Sequence, residues 1–195
     1  MKKKIKNILN KKRKSKIVSL TAYSKNIAKI LDKHCDIVLV GDSLANVLYG
    51  LNNTHNVNLE NMIQHTASVR KGIKKSLLVV DMPKGSYSSV RIAKKNAKLV
   101  MRSTGCDAIK LESNNKNYKI INELKKDKIP VMGHIGYTPQ FKKKFKVEGD
   151  TKKKAKKLLK EAMLIEKAGA FSIVLECLNS NTSKIITNKL KIPTI

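Results

Sequence analysis

The chain has 195 residues, with 42 Lys and Arg against 14 Asp and Glu, a formal net charge of +28. A hydrophobic content of 41% excludes a disordered basic tail, and no apolar run is long enough to span a bilayer as a helix. Three separated cysteines (Cys35, Cys106, Cys177) without a CxxC spacing exclude a disulfide framework and a zinc knuckle.

Residues 1–16 carry nine Lys and Arg around Ile5, Ile8 and Leu9. They lack the apolar stretch and small-residue cleavage site of a secretory signal, so they predict a short, solvated basic leader helix ahead of one domain at 17–195. From there two textures alternate. Short β-branched runs occur at 17–21, 37–41, 77–80, 108–111, 130–133, 172–175 and 192–195. Between them lie helical stripes: Ile27, Ile30, Leu31; then Leu59, Met62, Ile63, Val69; then Val90, Ala93, Ala97, Val100, Met101, closed by Gly105. Ile121 and Leu124 follow, then Ala155, Leu158, Leu159, Ala162 and Met163, stopped by Gly169, and finally Ile185, Ile186 and Leu190.

Near-continuous apolar strands separated by amphipathic helices predict a parallel sheet covered by helices. An open doubly wound sheet and a (β/α)8 barrel both satisfy that pattern. The absence of GxGxxG after the first strand removes the commonest dinucleotide-binding reason for an open sheet. The strand count favours a TIM-type barrel that stops after about the seventh strand.

All but four of the basic residues are lysine, spread from end to end; the exceptions are Arg13, Arg70, Arg91 and Arg102. Proteins that read bases or phosphates bidentately favour arginine. With Ile and Asn abundant and Trp absent, the charge reads as drift toward A/T-rich codons, not as a nucleic-acid footprint.

Against that background the few acids become informative. Asp42, Asp81, Glu112 and Glu176 each end an apolar run, and His134 ends another. The C-terminal ends of parallel strands are where active sites are built in such folds. Period two also puts Lys110 on the same strand face as Glu112. Two aspartates and a glutamate are hard oxygen donors suited to Mg²⁺. Asp32, Asp36, Asp107 and Asp127 precede strands and read as ordinary loop acids. His34, His55 and His65 read as surface or helix residues, and the cysteines as core fillers.

At these residues the chain resembles the ketopantoate hydroxymethyltransferase family. The resemblance is carried by Leu20-Thr-Ala-Tyr23, Val40-Gly-Asp-Ser-Leu44, Asp81-Met-Pro83, Gly85-Ser-Tyr87 and Ile109-Lys-Leu-Glu112. It continues through Gly133-His-Ile-Gly136, Thr138-Pro-Gln140, Lys146-Val147 with Gly149, and Val174-Leu-Glu-Cys177. It implies a Mg²⁺-dependent barrel of the phosphoenolpyruvate/pyruvate superfamily, shortened at the C-terminal end. It also implies hydroxymethyl transfer from 5,10-methylenetetrahydrofolate to 3-methyl-2-oxobutanoate, giving 2-dehydropantoate in pantothenate biosynthesis.

Carried over by motif, Asp42 and Asp81 ligate the metal and Glu112 completes its shell, directly or through water. Asp42, Ser43, Asp81, Lys110 and His134 line the substrate, and Glu176 is the proton acceptor. Ser24 and Lys84 depart from the family pattern, and the loop at 141–146 is short and filled with Lys142, Lys143 and Lys144. The implied assembly is a cytoplasmic homo-oligomer acting on a 2-oxo acid and a folate, without a membrane. Two other readings stay open: an inactive, shortened relative, and a basic nucleic-acid-binding protein on a barrel-derived scaffold.

Overall fold

Side chains alternate between two layers along every strand of the sheet. The computed structural model describes residues 3–113, 117–142 and 144–195, so Lys143 of the basic loop lies outside the described residues. The strands are β1 (Ser19–Thr21), β2 (Ile37–Val40), β3 (Leu77–Asp81), β4 (Ala108–Glu112), β5 (Val131–Gly136) and β6 (Ser172–Glu176). Each pairs in parallel with its sequence neighbour, in the order β1 to β6 without reversal. A doubly wound sheet would reverse at a switch point. The one-way order makes this a curled, barrel-type sheet.

The seventh run, at 192–195, lies beside β6 as a short parallel ladder. Ile173 N–H donates to the Pro193 carbonyl at 3.1 Å, and Ile195 N–H to the Ile173 carbonyl at 3.0 Å. Helices α2 (Lys25–Leu31), α3 (Leu44–Val47), α4 (Leu59–Arg70), α5 (Val90–Thr104), α6 (Tyr118–Lys126), α7 (Lys152–Ala168) and α8 (Ser180–Lys189) fill the connections. Their ends follow local chemistry: Ser89 caps α5 by accepting the Ile92 N–H, and Gly105 ends it in the left-handed conformation.

Outward strand residues such as Val38, Val80, Ile109, Leu111 and Ile173 pack with the helical stripes, including Ala93, Ala97, Val100, Leu124 and Ala162. Gly133 keeps this layer thin, since a Cβ there would meet Ile165 of α7 within contact distance. Inward residues form a second cluster of Ile37, Leu77, Val79, Ala108, Met132 and Phe171 at the N-terminal end of the strands.

The expectation of a solvated leader is corrected here. Helix α1 (Lys3–Asn10) inserts Ile5 and Ile8, 1% and 3% exposed, into that second cluster. It acts as a floor beneath the sheet. Burying each isoleucine is worth about 1.5–3 kcal/mol, which the surrounding lysines masked in the sequence. Those lysines are anchored too: Lys4 Nζ donates to the Ser76 carbonyl at 2.7 Å, and Lys11 pairs with Asp36 at 2.7 Å.

The acids before strands serve the fold. Asp32 accepts the N–H groups of Lys74, Lys75 and Ser76, which holds its carboxyl below the usual range despite burial. Asp107 accepts the Leu78 N–H at 3.0 Å, and Asp127 pairs with Lys94 and Lys98.

Candidate active site

The same alternation that sends aliphatics outward points Asp81, Lys110, Glu112, His134 and Glu176 inward at the C-terminal ends of β3 to β6. Register fixes which of them face each other. Asp81 pairs with Lys110, Glu112 with His134, and Gly136 with Glu176. Asp42 and Ser43 follow β2 directly, where Gly41 leaves room; a Cβ there would lie 3.0 Å from Ser43 Oγ.

Asp42, Asp81, Lys110, Glu112 and His134 are each at most 5% exposed. Lys110 Nζ lies 2.6 Å from Asp81 Oδ1, while Asp81 Oδ2 accepts the Asp42 N–H at 3.1 Å. His134 Nε2 stands 3.1 Å from Glu176 Oε2, and its Nδ1 is 3.7 Å from Glu112 Oε1. The Glu176 side chain is 38% exposed and so borders both the buried cluster and solvent. Ser43 Oγ hydrogen-bonds the Tyr23 hydroxyl at 2.9 Å.

Crowded carboxylates in a dry site resist ionising together. Burial, then the neighbouring Asp81 charge, push the Asp42 carboxyl up to about 6. Burial pushes Glu112 up to about 8, against the pull of Lys110. Burial disfavours the Lys110 ammonium, but Asp81, Asp42 and Glu112 together hold it above its ordinary value. Burial and Lys110 push the His134 imidazolium down, so the ring is neutral near pH 7.

Comparison with known proteins decides the family. A model described as ketopantoate hydroxymethyltransferase matches residues 2–195. The chain belongs to the ketopantoate hydroxymethyltransferase family. It is 54% identical over 195 residues to the 3-methyl-2-oxobutanoate hydroxymethyltransferase of Pelagibacter ubique, covering all of this chain and 76% of that protein. The corresponding protein of Clostridioides difficile is 45% identical over 202 residues, covering 100% of this chain and 73% of that one. Among solved structures, phosphonopyruvate hydrolase complexed with oxalate and Mg²⁺ superposes with a TM-score of 0.69 at 10% identity, covering 98% of this chain and 79% of that one. A 2,3-dimethylmalate lyase of the PEP mutase/isocitrate lyase superfamily superposes with a TM-score of 0.69 at 13% identity, covering 100% and 71%. Those two likenesses concern the fold.

Within this family member, the residues singled out at strand ends come together on one rim. Sequence reasoning passed over two more. Gln140, 1% exposed, contacts Asp42 and Glu112, and Tyr87, 4% exposed, donates its hydroxyl proton to Gln140 Oε1. Both lie in motifs quoted above, yet a neutral polar residue in a loop carries no charge or spacing signal of its own. Of the basic loop, Lys142 is tied down by the Gly136 carbonyl at 2.7 Å and by Glu148 at 2.8 Å, while Lys144 is exposed.

The donor set suits a hard divalent cation. Asp42, Asp81 and Glu112 present oxygen only, and their mutual repulsion is what a doubly charged ion would relieve. Glu112 Oε1 is buried without a hydrogen-bond partner among the described residues. No three His, Cys, Asp or Glu side chains among the described residues converge at metal-ligand spacing. One or two of these carboxylates could hold such a cation.

Proposed function

We propose that this chain is a 3-methyl-2-oxobutanoate hydroxymethyltransferase. It would use 5,10-methylenetetrahydrofolate and water to add a hydroxymethyl group to 3-methyl-2-oxobutanoate, giving 2-dehydropantoate and tetrahydrofolate. The observation that carries this reading is the convergence of Asp42, Asp81, Lys110, Glu112, His134 and Glu176 at one end of one parallel sheet.

Asp42 and Asp81 would hold Mg²⁺, with Glu112 completing its shell directly or through water. The ion supplies polarisation of the keto oxygen, favouring loss of a proton from the adjacent carbon. Lys110, charged at all physiological pH, offers its ammonium to the substrate carboxylate. Ser43, oriented by Tyr23, offers a hydroxyl to the same anion. Glu176 removes the proton from the carbon beside the ketone. Neutral His134, with Nε2 3.1 Å from Glu176 Oε2, lines the site beside that carboxylate. The resulting carbanion equivalent attacks the methylene carbon, whose two bonds to folate nitrogens break; a water molecule supplies the hydroxyl, and its remaining proton and the proton taken from the oxo acid end on those two nitrogens as tetrahydrofolate.

For the folate, an open groove of about 500 Å³ on the same rim is lined by Lys84, Tyr87, Ser89, Asn117, Lys119 and Phe141. Tyr87 and Phe141 meet edge to face there, with centroids 6.5 Å apart. Aromatic edges and two lysines complement a planar, anionic co-substrate. Free thiols at Cys35 and Cys177 support a reducing, cytoplasmic setting. No helix among the described residues is long and apolar enough to cross a membrane. Exposed Ile27, Ile30, Val47 and Leu48 support self-association into a homo-oligomer.

The test is formation of 2-dehydropantoate from the two substrates with and without Mg²⁺. Product that requires Mg²⁺ supports the assignment. No product from folded protein overturns it and favours the inactive relative.

A further inference from the structure

Gln140 belongs to the segment between β5 and α7, outside every strand, yet its side chain is buried among the strand ends. Its backbone N–H and both polar atoms of its side chain are committed. The backbone N–H donates to Glu112 Oε2 at 3.0 Å. Nε2 donates to Asp42 Oδ2 at 2.8 Å and to the Met82 carbonyl at 3.0 Å. Oε1 accepts from the Tyr87 hydroxyl.

This set of partners fixes which end of the amide is which. A reversed amide would place Oε1 against a carboxylate and a carbonyl, two acceptors with no proton between them. Tyr87, by donating to Oε1, favours the orientation in which Nε2 faces Asp42. The consequence for the site is specific. With Oδ2 engaged by Gln140, Asp42 keeps Oδ1 without a hydrogen bond among the described residues. With Oε2 engaged by the Gln140 backbone, Glu112 keeps Oε1. One residue thus ties together the groups that end β2, β3 and β4.

We propose that Gln140 is a positioning residue for the transfer, holding the Asp42 and Glu112 carboxylates in the orientations that meet a divalent cation and the 2-oxo acid, with Tyr87 fixing its amide. The proposal rests on the function given above. Groups that orient metal ligands typically matter about 10- to 100-fold in affinity or activity.

The experiment compares the full chain with Gln140→Met and Tyr87→Phe. Mn²⁺ affinity is measured by electron paramagnetic resonance without substrates, and kcat and KM for the oxo acid are measured separately. Gln140→Met, which keeps the backbone N–H and the side-chain length, is expected to weaken Mn²⁺ binding by about 10- to 100-fold. Tyr87→Phe, which keeps the ring and removes only the hydroxyl, is expected to move affinity in the same direction by less. Because a packing role would change thermal stability and leave the metal alone, wild-type Mn²⁺ affinity in both folded variants overturns the proposal. So does a wild-type chain that binds no Mn²⁺. If Gln140→Met fails to fold, Tyr87→Phe decides alone. If the wild-type chain binds Mn²⁺ but forms no product, the assigned reaction fails while the Mn²⁺ comparison still decides the role of Gln140.

Discussion

Lys110 and Asp81 meet across β4 and β3 at a register pair, 2.6 Å apart, with side chains only 6% and 4% exposed. Opposite charges so deeply withdrawn from water hold each other, and removing one leaves the other stranded. Breaking such a pair from one side typically costs about 3–5 kcal/mol, whereas removing both charges can be nearly neutral. Lys110→Met should therefore lower stability in chemical denaturation and abolish turnover. Lys110→Met combined with Asp81→Asn should recover much of the stability and none of the activity. Equal stability of the single and double variants would show the pair to be uncoupled.

The carboxylates should separate by what their loss affects. Glu176→Gln removes the base but leaves the Asp42 and Asp81 oxygens in place. Turnover should fall by about 10²- to 10⁴-fold with Mn²⁺ affinity unchanged. Asp42→Ala and Asp81→Ala should lose Mn²⁺ binding and activity together. Parallel calorimetric titrations and initial rates distinguish the two classes, and full turnover by either aspartate variant rules out its place at the metal.

A third expectation concerns pH in metal-free protein. Glu112 is pushed up to about 8, so the folded chain holds a proton there that the unfolded chain has already released above its ordinary value of 4.5. The folded state then binds more protons, and its stability falls as pH rises. His134 is pushed down, so its contribution has the opposite sign and is complete once pH exceeds its ordinary value of 6.5. Between about pH 6.5 and 8 the Glu112 effect stands alone. Melting temperature in the presence of a chelator should drop across that window, and Glu112→Gln should flatten the drop. A wild-type curve already flat there would mean that Glu112 ionises without penalty.

The floor helix offers a fourth test. Ile8 is buried against the inward cluster while neighbouring α1 lysines stay in solvent. Ile8→Ala should cost about 2–5 kcal/mol, an effect expected of a core residue and not of a solvated leader. A change within the ordinary surface range would return α1 to the role of an appendage.

These tests also mark what was legible in the sequence. Strand-end acids stood out because period-two alternation and apolar runs are local patterns, and because acids are scarce here. The barrel-like order followed from repeated alternation of strand and helix. Ile5 and Ile8 were visible as a pair three residues apart, but only tertiary packing shows them covered. Gln140 and Tyr87 were invisible for a related reason. Their roles come from hydrogen bonds spanning 53 and 98 residues, from Tyr87 to Gln140 and from Gln140 to Asp42, which no local pattern encodes. The Glu112–His134 facing was likewise a matter of register between strands, not of spacing along one.

The alternation along β3 to β6 has a further consequence for how this chain can vary. Each chemical group shares its strand with the aliphatics that hold the helices on, and the two sets are interleaved residue by residue. A substitution touches one layer at a time. An insertion of one residue after Val79 would instead rotate Asp81 toward the helical layer and carry an aliphatic into the place beside Lys110. Within these strands the protein can change its letters but not its reading frame of faces, so gaps there should be far less tolerated than in the loops at either end.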